Sequence, residues 1–184
     1  MLLILFLSSM LFQAAAQTGA PIQAIDNDRV SVSHINGPVD AQPSDAVVIS
    51  VTGSVVFVPA GERLNINGPS TMISLKGKPV PPVENKSGYP LAFPRAGSKK
   101  VLENASVVVW DYTWTSDVAT PMHFHDKDVV VIYFEDGDLK STTPDGKATV
   151  NPYKAGDVRF NRGDRIHTET LIRGKQRAII TELK

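Results

Sequence analysis

The sequence predicts an all-β protein, folded as a sandwich or a closed barrel. Three observations lead there. From residue 17 onward, short runs rich in Val, Ile, Thr, Tyr and Phe follow one another; turn residues break them about every 8 to 12 positions; and no stretch sustains a helical stripe. Many short strands punctuated by Gly and Pro must bury their apolar faces against another sheet, or close on themselves.

Taken in order, the chain opens with an apolar run, Leu2 to Leu7, extended by Leu11-Phe12. Ala14-Ala15-Ala16 then offers small residues ahead of Gln17. Residues 1–16 therefore read as a signal peptide, although no Lys or Arg stands at its start. The run falls short of the roughly 20 apolar residues of a permanent span, so the expectation is a secreted or periplasmic protein with no stable membrane anchor.

Residues 17–102 read as an N-terminal β segment followed by a loop rich in Pro and Gly. Candidate strands are Arg29–Ser33, Ala46–Val51 and Ser54–Val58. Residues 76–100, with Pro79, Pro81, Pro82 and Pro90, are expected to form a long loop across the outside of the fold, because proline cannot donate to a central ladder. Residues 103–184 hold the remaining candidates: Ser106–Thr115, Asp128–Phe134, Asp138–Thr143, Val158–Asn161, Ile166–Leu171 and Arg177–Leu183. Pro144-Asp145-Gly146 marks a hairpin, and Asp136-Gly137-Asp138 is read the same way. The two halves echo each other. Asn27 to Val32, Val47-Val48-Ile49 and Gly53 run in the same order as Asn104 to Val109, Val130-Val131-Ile132 and Gly137, as a degenerate half-repeat would. In that case the first copy has lost its ligands, since His34 is its single histidine.

Composition narrows the chemistry. Lys plus Arg (19) equals Asp plus Glu (19), without clustering, so a nucleic-acid partner is not expected. With no cysteine, disulfides, thiol nucleophiles and iron–sulfur clusters are excluded. Any metal must be held by histidine and oxygen. No Gly-x-Ser-x-Gly elbow is present, which argues against a serine hydrolase.

His123-Phe124-His125 places two imidazoles on one strand face, because side chains alternate with period two. With His167 from a neighbouring strand they form a facial set suited to iron, manganese, nickel, copper or zinc. Trp110, Tyr112 and Trp114 share a face and are read as core, and His34 as an ordinary strand histidine.

These segments resemble the cupin family. Its first motif is similar to Pro121-Met122-His123-Phe124-His125 through a valine-rich strand to Asp136-Gly137, and its second to Gly156-Asp157-Val158-Arg159-Phe160-Asn161 ending at His167. The resemblance covers about residues 103–184. It implies a cupin double-stranded β-helix (a jelly-roll barrel), here with an N-terminal β extension, and a divalent metal ion (Fe, Mn, Ni or Zn) on His123, His125 and His167. Where the family places a glutamate, this chain has Val129. Two carboxylates are candidates to replace it: Asp128, turned inward by a β-bulge, and Glu169, which shares a face with His167 and is favoured as the ligand; Glu169, Asp128 or a metal-bound water would carry the proton. The Arg162-Gly163-Asp164-Arg165 loop replaces the family's usual Pro-Gly turn and adds charge beside the barrel mouth. The expected function is metal-dependent chemistry on a small organic molecule, of an oxygenase or isomerase type. The alternative is a module that binds a small ligand or metal without turnover, and a homodimer through sheet edges is compatible with either.

Overall fold

The structure, a computed structural model, describes residues 22–77 and 79–184; the expected signal peptide lies outside the described residues. Among these the chain is all-β. Its strands are β1 (Ile22–Asp26), β2 (Val30–Asn36), β3 (Ala46–Ser50), β4 (Val55–Val58), β5 (Pro69–Leu75), β6 (Ser98–Glu103) and β7 (Val107–Thr113). They continue with β8 (His123–His125), β9 (Val129–Tyr133), β10 (Gly137–Thr142), β11 (Ala148–Tyr153), β12 (Val158–Asn161), β13 (Arg165–Gly174) and β14 (Arg177–Leu183). They form three antiparallel sheets, ordered β1-β2-β5-β3-β4, β11-β10-β13-β8 and β12-β9-β14-β7-β6.

The second and third sheets face each other and make the barrel. Period-two alternation sorts the side chains. Val108, Trp110, Tyr112, Val129, Val131, Tyr133, Ala178 and Ile180 point inward, where Leu139 and Leu171 of the opposite sheet meet them. The alternate residues of the same strands point outward: Val107, Val109, Val130, Ile132, Ile179 and Leu183. That outer face would be an apolar patch on a lone barrel. Here the first sheet covers it with Val30, Val32, Val47, Ile49 and Ile73, all at most 1% exposed.

The covering sheet repeats the one it covers. Their strand orders correspond one for one. Val30 pairs with Leu75 as Val107 pairs with Leu183, and Ala46 with Ser74 as Val129 with Glu182. Each first pair of strands carries a register shift, at Gln23/Ile25 and at Lys100/Leu102. The opening turns also match: Asn27 Oδ1 accepts from the amides of Arg29 and Val30, and Asn104 Oδ1 from those of Ser106 and Val107. Lys76 and Lys184 each bind the carbonyl of that asparagine and the neighbouring acid, Asp26 or Glu103. Residue for residue, the packed faces are Ile25/Leu102, Val30/Val107, Val32/Val109, Val47/Val130, Ile49/Ile132, Val55/Val158, Phe57/Phe160 and Leu75/Leu183. Gly53 and Gly137 do not correspond, since Gly53 turns β3 into β4 whereas Gly137 opens β10. In the first copy, short connections replace every excursion that builds the histidine-bearing sheet. β3 turns directly into β4, where the second copy inserts β10 and β11.

Three sequence expectations change here. Residues 76–100 do not stay outside. Ala92 donates to the Phe124 carbonyl, Phe124 donates back to Pro90, and the chain then turns Phe93 into the barrel core. The barrel sheet begins at Ser98, ahead of the expected boundary at 102/103. Gly137, read as a turn residue, owes its identity to close packing. A Cβ there would lie 2.4 Å from the Lys175 carbonyl, and one on Gly174 would lie 2.3 Å from that of Asp136.

Candidate metal centre

The centre is built where β8 and β13 pair antiparallel, with His123 opposite His167 and His125 opposite Arg165. On β13, alternation puts Arg165, His167 and Glu169 on the same inward face. β10 joins from the other side with Ser141 opposite Glu169. The three imidazoles therefore meet by register alone. His123 Nε2 lies 3.2 Å from His125 Nε2, which lies 3.1 Å from His167 Nε2. Nitrogens held about 2.1 Å from one ion sit about 3.0 Å apart at right angles and about 3.4 Å at tetrahedral angles. The two observed spacings fall in that range and all three ligand nitrogens lie within 4.8 Å of one another, so the three histidines can hold a metal ion.

The protonation pattern supports this use. His123 Nδ1 donates to the Pro121 carbonyl at 2.8 Å, which leaves Nε2 unprotonated and facing the others. His167 Nδ1 lies 3.3 Å from Ser141 Oγ. Burial, then the charge of Arg95, pushes His123 down to about 4. Burial also holds His125 well below, and His167 below, the ordinary imidazole value. All three are neutral at pH 7, the form that ligates.

Glu169 is brought to the cavity beside the histidines but not into their donor set. Its Oε2 accepts from Trp114 Nε1 at 3.2 Å and lies 3.5 Å from Arg95 Nη2. Burial would raise its pKa, yet the nearby His167, Arg95 and His123 and the indole hydrogen bond bring it below the usual carboxylate value. The amide of Glu169 donates to Thr120 Oγ1 and its carbonyl accepts from the Thr120 amide, which fixes the strand there.

Asp128 is a correction. β9 runs in regular register from Val129, so no bulge turns Asp128 inward. Its carboxylate instead binds Arg29 at 3.1 Å, Arg162 at 3.2 Å and the Gly163 amide at 2.8 Å. That ties the covering sheet and the 162–163 loop to the barrel. Val129 takes the inward position and lines the cavity. His34 lies far from the three in the fold, on the covering sheet, with Nδ1 3.3 Å from Thr71 Oγ1.

Arg95 escaped the sequence reading. Its guanidinium packs 4.0 Å over the Tyr112 ring and 4.7 Å from that of Phe93, and Nη1 donates to His123 Nε2 at 3.2 Å. It sits in a stretch without periodicity, so no pattern marked it. The cavity itself, about 170 Å³, is bordered by His125, His167, Glu169, Val129, Val131, Tyr133, Tyr153 and Arg165 among others.

The fold matches solved structures. AerE from Microcystis aeruginosa aligns over 92% of this chain and 100% of its own, at 10% identity and a TM-score of 0.50. A cupin 2 conserved barrel domain protein from Leptotrichia buccalis aligns over 95% and 93%, at 12% identity and 0.49. A cupin domain from Bordetella pertussis aligns over 50% of this chain and 99% of its own, at 21% identity and 0.44. No family model and no curated protein matches the sequence. The architecture is an antiparallel all-β barrel covered by a third sheet, and cupin domains are among the solved structures it resembles.

Proposed function

We propose that this protein is an exported metal-binding cupin that holds one divalent ion, iron, manganese, nickel or zinc, on His123, His125 and His167 and acts on a small organic molecule beside it. The observation that carries this reading is the convergence of three imidazoles at the edge of a cavity, with His125 Nε2 3.2 Å from that of His123 and 3.1 Å from that of His167. A bound ion with open positions supplies Lewis acidity, or an oxygenase-like route for dioxygen. The chain's own residues supply the rest. Val129, Val131 and Ile180 give part of the cavity an apolar lining. Glu169, ionised and fixed by Trp114 and Arg95, is placed to take a proton from a bound molecule. Export rests on the apolar run before Ala14-Ala15-Ala16.

Metal analysis of the purified protein tests the centre. The expected result is about one ion per chain, with His123→Ala, His125→Ala and His167→Ala each weakening retention by at least about tenfold. Full retention by any one variant removes that residue from the set. A second reading, a metal-free binding barrel, is favoured by the hydrogen bond from Arg95 to His123, because that contact uses the lone pair an ion would need. Wild-type protein that takes up no added ion would decide for it.

A further inference from the structure

We infer that the molecule bound in this cavity is a small organic acid, held through its carboxylate by Arg165. This deepens the proposed function and shares its cavity. The first observation is charge balance. Two guanidinium groups line the cavity. That of Arg95 is answered: Glu169 lies 3.5 Å from it and aromatic rings pack against it. That of Arg165 has no such direct partner and feels Glu169 and Asp128 only from a longer distance. Its Nε donates to the Arg162 carbonyl at 2.6 Å, and among the described residues no carboxylate lies within ion-pair distance of its terminal amino groups. A largely buried cation with no carboxylate in direct contact is costly, and an anion that enters from solution reduces that cost. The cavity lining holds two guanidinium groups, Arg95 and Arg165, against one carboxylate, Glu169.

The second observation is placement. Arg165 stands opposite His125 across the β8–β13 pair and shares a face with His167. A molecule whose carboxylate rests on the fork of Arg165 therefore extends along the histidine-bearing face. The amides of Asn151 and Asn161 border the same space and offer further donors. Tyr133 and Tyr153, stacked at 3.9 Å between ring centres, form a flat wall for an unsaturated or planar skeleton. The third observation is size. About 170 Å³ lies below the roughly 300–1,000 Å³ of pockets that take drug-sized ligands, so the acid is small.

Calorimetric titration of the full chain with succinate, and with its neutral diamide succinamide, tests the inference. Succinate should bind and succinamide should not. Arg165→Gln should weaken succinate binding by at least about tenfold, as removing one partner of a buried charge pair does, and Arg165→Lys should restore part of it. Asn151→Asp, on the hairpin strand β11, should weaken it similarly by repulsion, which guards against misfolding of the Arg165 variants. Equal binding of succinate and succinamide, or unchanged succinate binding in both Arg165→Gln and Asn151→Asp, overturns the inference. Metal content measured on the same samples separates the two readings. Wild-type protein that holds no ion yet binds succinate through Arg165 leaves this inference standing and removes the metal centre.

Discussion

Thr181 shows how much one side chain reveals of the arrangement around it. It is fully buried between the covering sheet and the barrel, facing Val109 and Val130, and its hydroxyl has no hydrogen-bond partner. Its counterpart in the covering sheet is Ile73. Thr181→Val should therefore stabilise the protein by about 1 kcal/mol, read from urea unfolding, because it removes an unanswered polar group at nearly constant shape. The histidines predict a pH effect on the metal-free protein. Each folded pKa lies below the unfolded value near 6.5, with His123 at about 4. Between those values the unfolded chain binds protons that the folded chain refuses. Stability is thus full above about pH 6.5 and declines as pH falls toward about 4, seen as a falling thermal midpoint. Added metal should steepen that decline, since protons and ion compete for the same lone pairs.

At the scale of the element, β13 and β9 explain which parts of the site the sequence revealed. Period two is enough to align Arg165, His167 and Glu169, and to pair His123 with His125, so the imidazole set was legible. The choice between carboxylates was not, because it depended on whether β9 starts with a bulge. Its regular register sends Asp128 outward to Arg29, Arg162 and the Gly163 amide. Asp128→Ala should consequently cost about 1–3 kcal/mol in chemical unfolding while metal content stays unchanged, the signature of a tie and not of a ligand. Arg95 was illegible for a different reason. The Pro-rich segment has no pattern of its own, and its pairing with β8 comes from a strand about 30 residues further along the chain.

For the whole molecule, the valine echo in the sequence turned out to mark two sheets of the same order and register packed face to face. What the sequence could not indicate was that, among the described residues, the first copy has no opposing sheet, since a missing excursion leaves only a short turn to read. Ile73→Ala should test how far the barrel depends on this cover. A loss of about 2–5 kcal/mol is expected at so buried a position, in a single unfolding transition if the two sheets melt together. The same layer bears on assembly. A homodimer would have to form elsewhere, on remaining edges or loops, because the apolar outer face of the barrel is already occupied by the chain's own first half.

The alternation of β9 has one more result. Val129 and Val131 look into the cavity while Val130 and Ile132 look into the docking layer, so neighbouring positions on a single strand answer to unrelated demands. Odd-numbered replacements there should retune what the protein holds, and even-numbered ones how firmly it stays assembled. Ligand preference can in this way drift without loosening the scaffold that carries it.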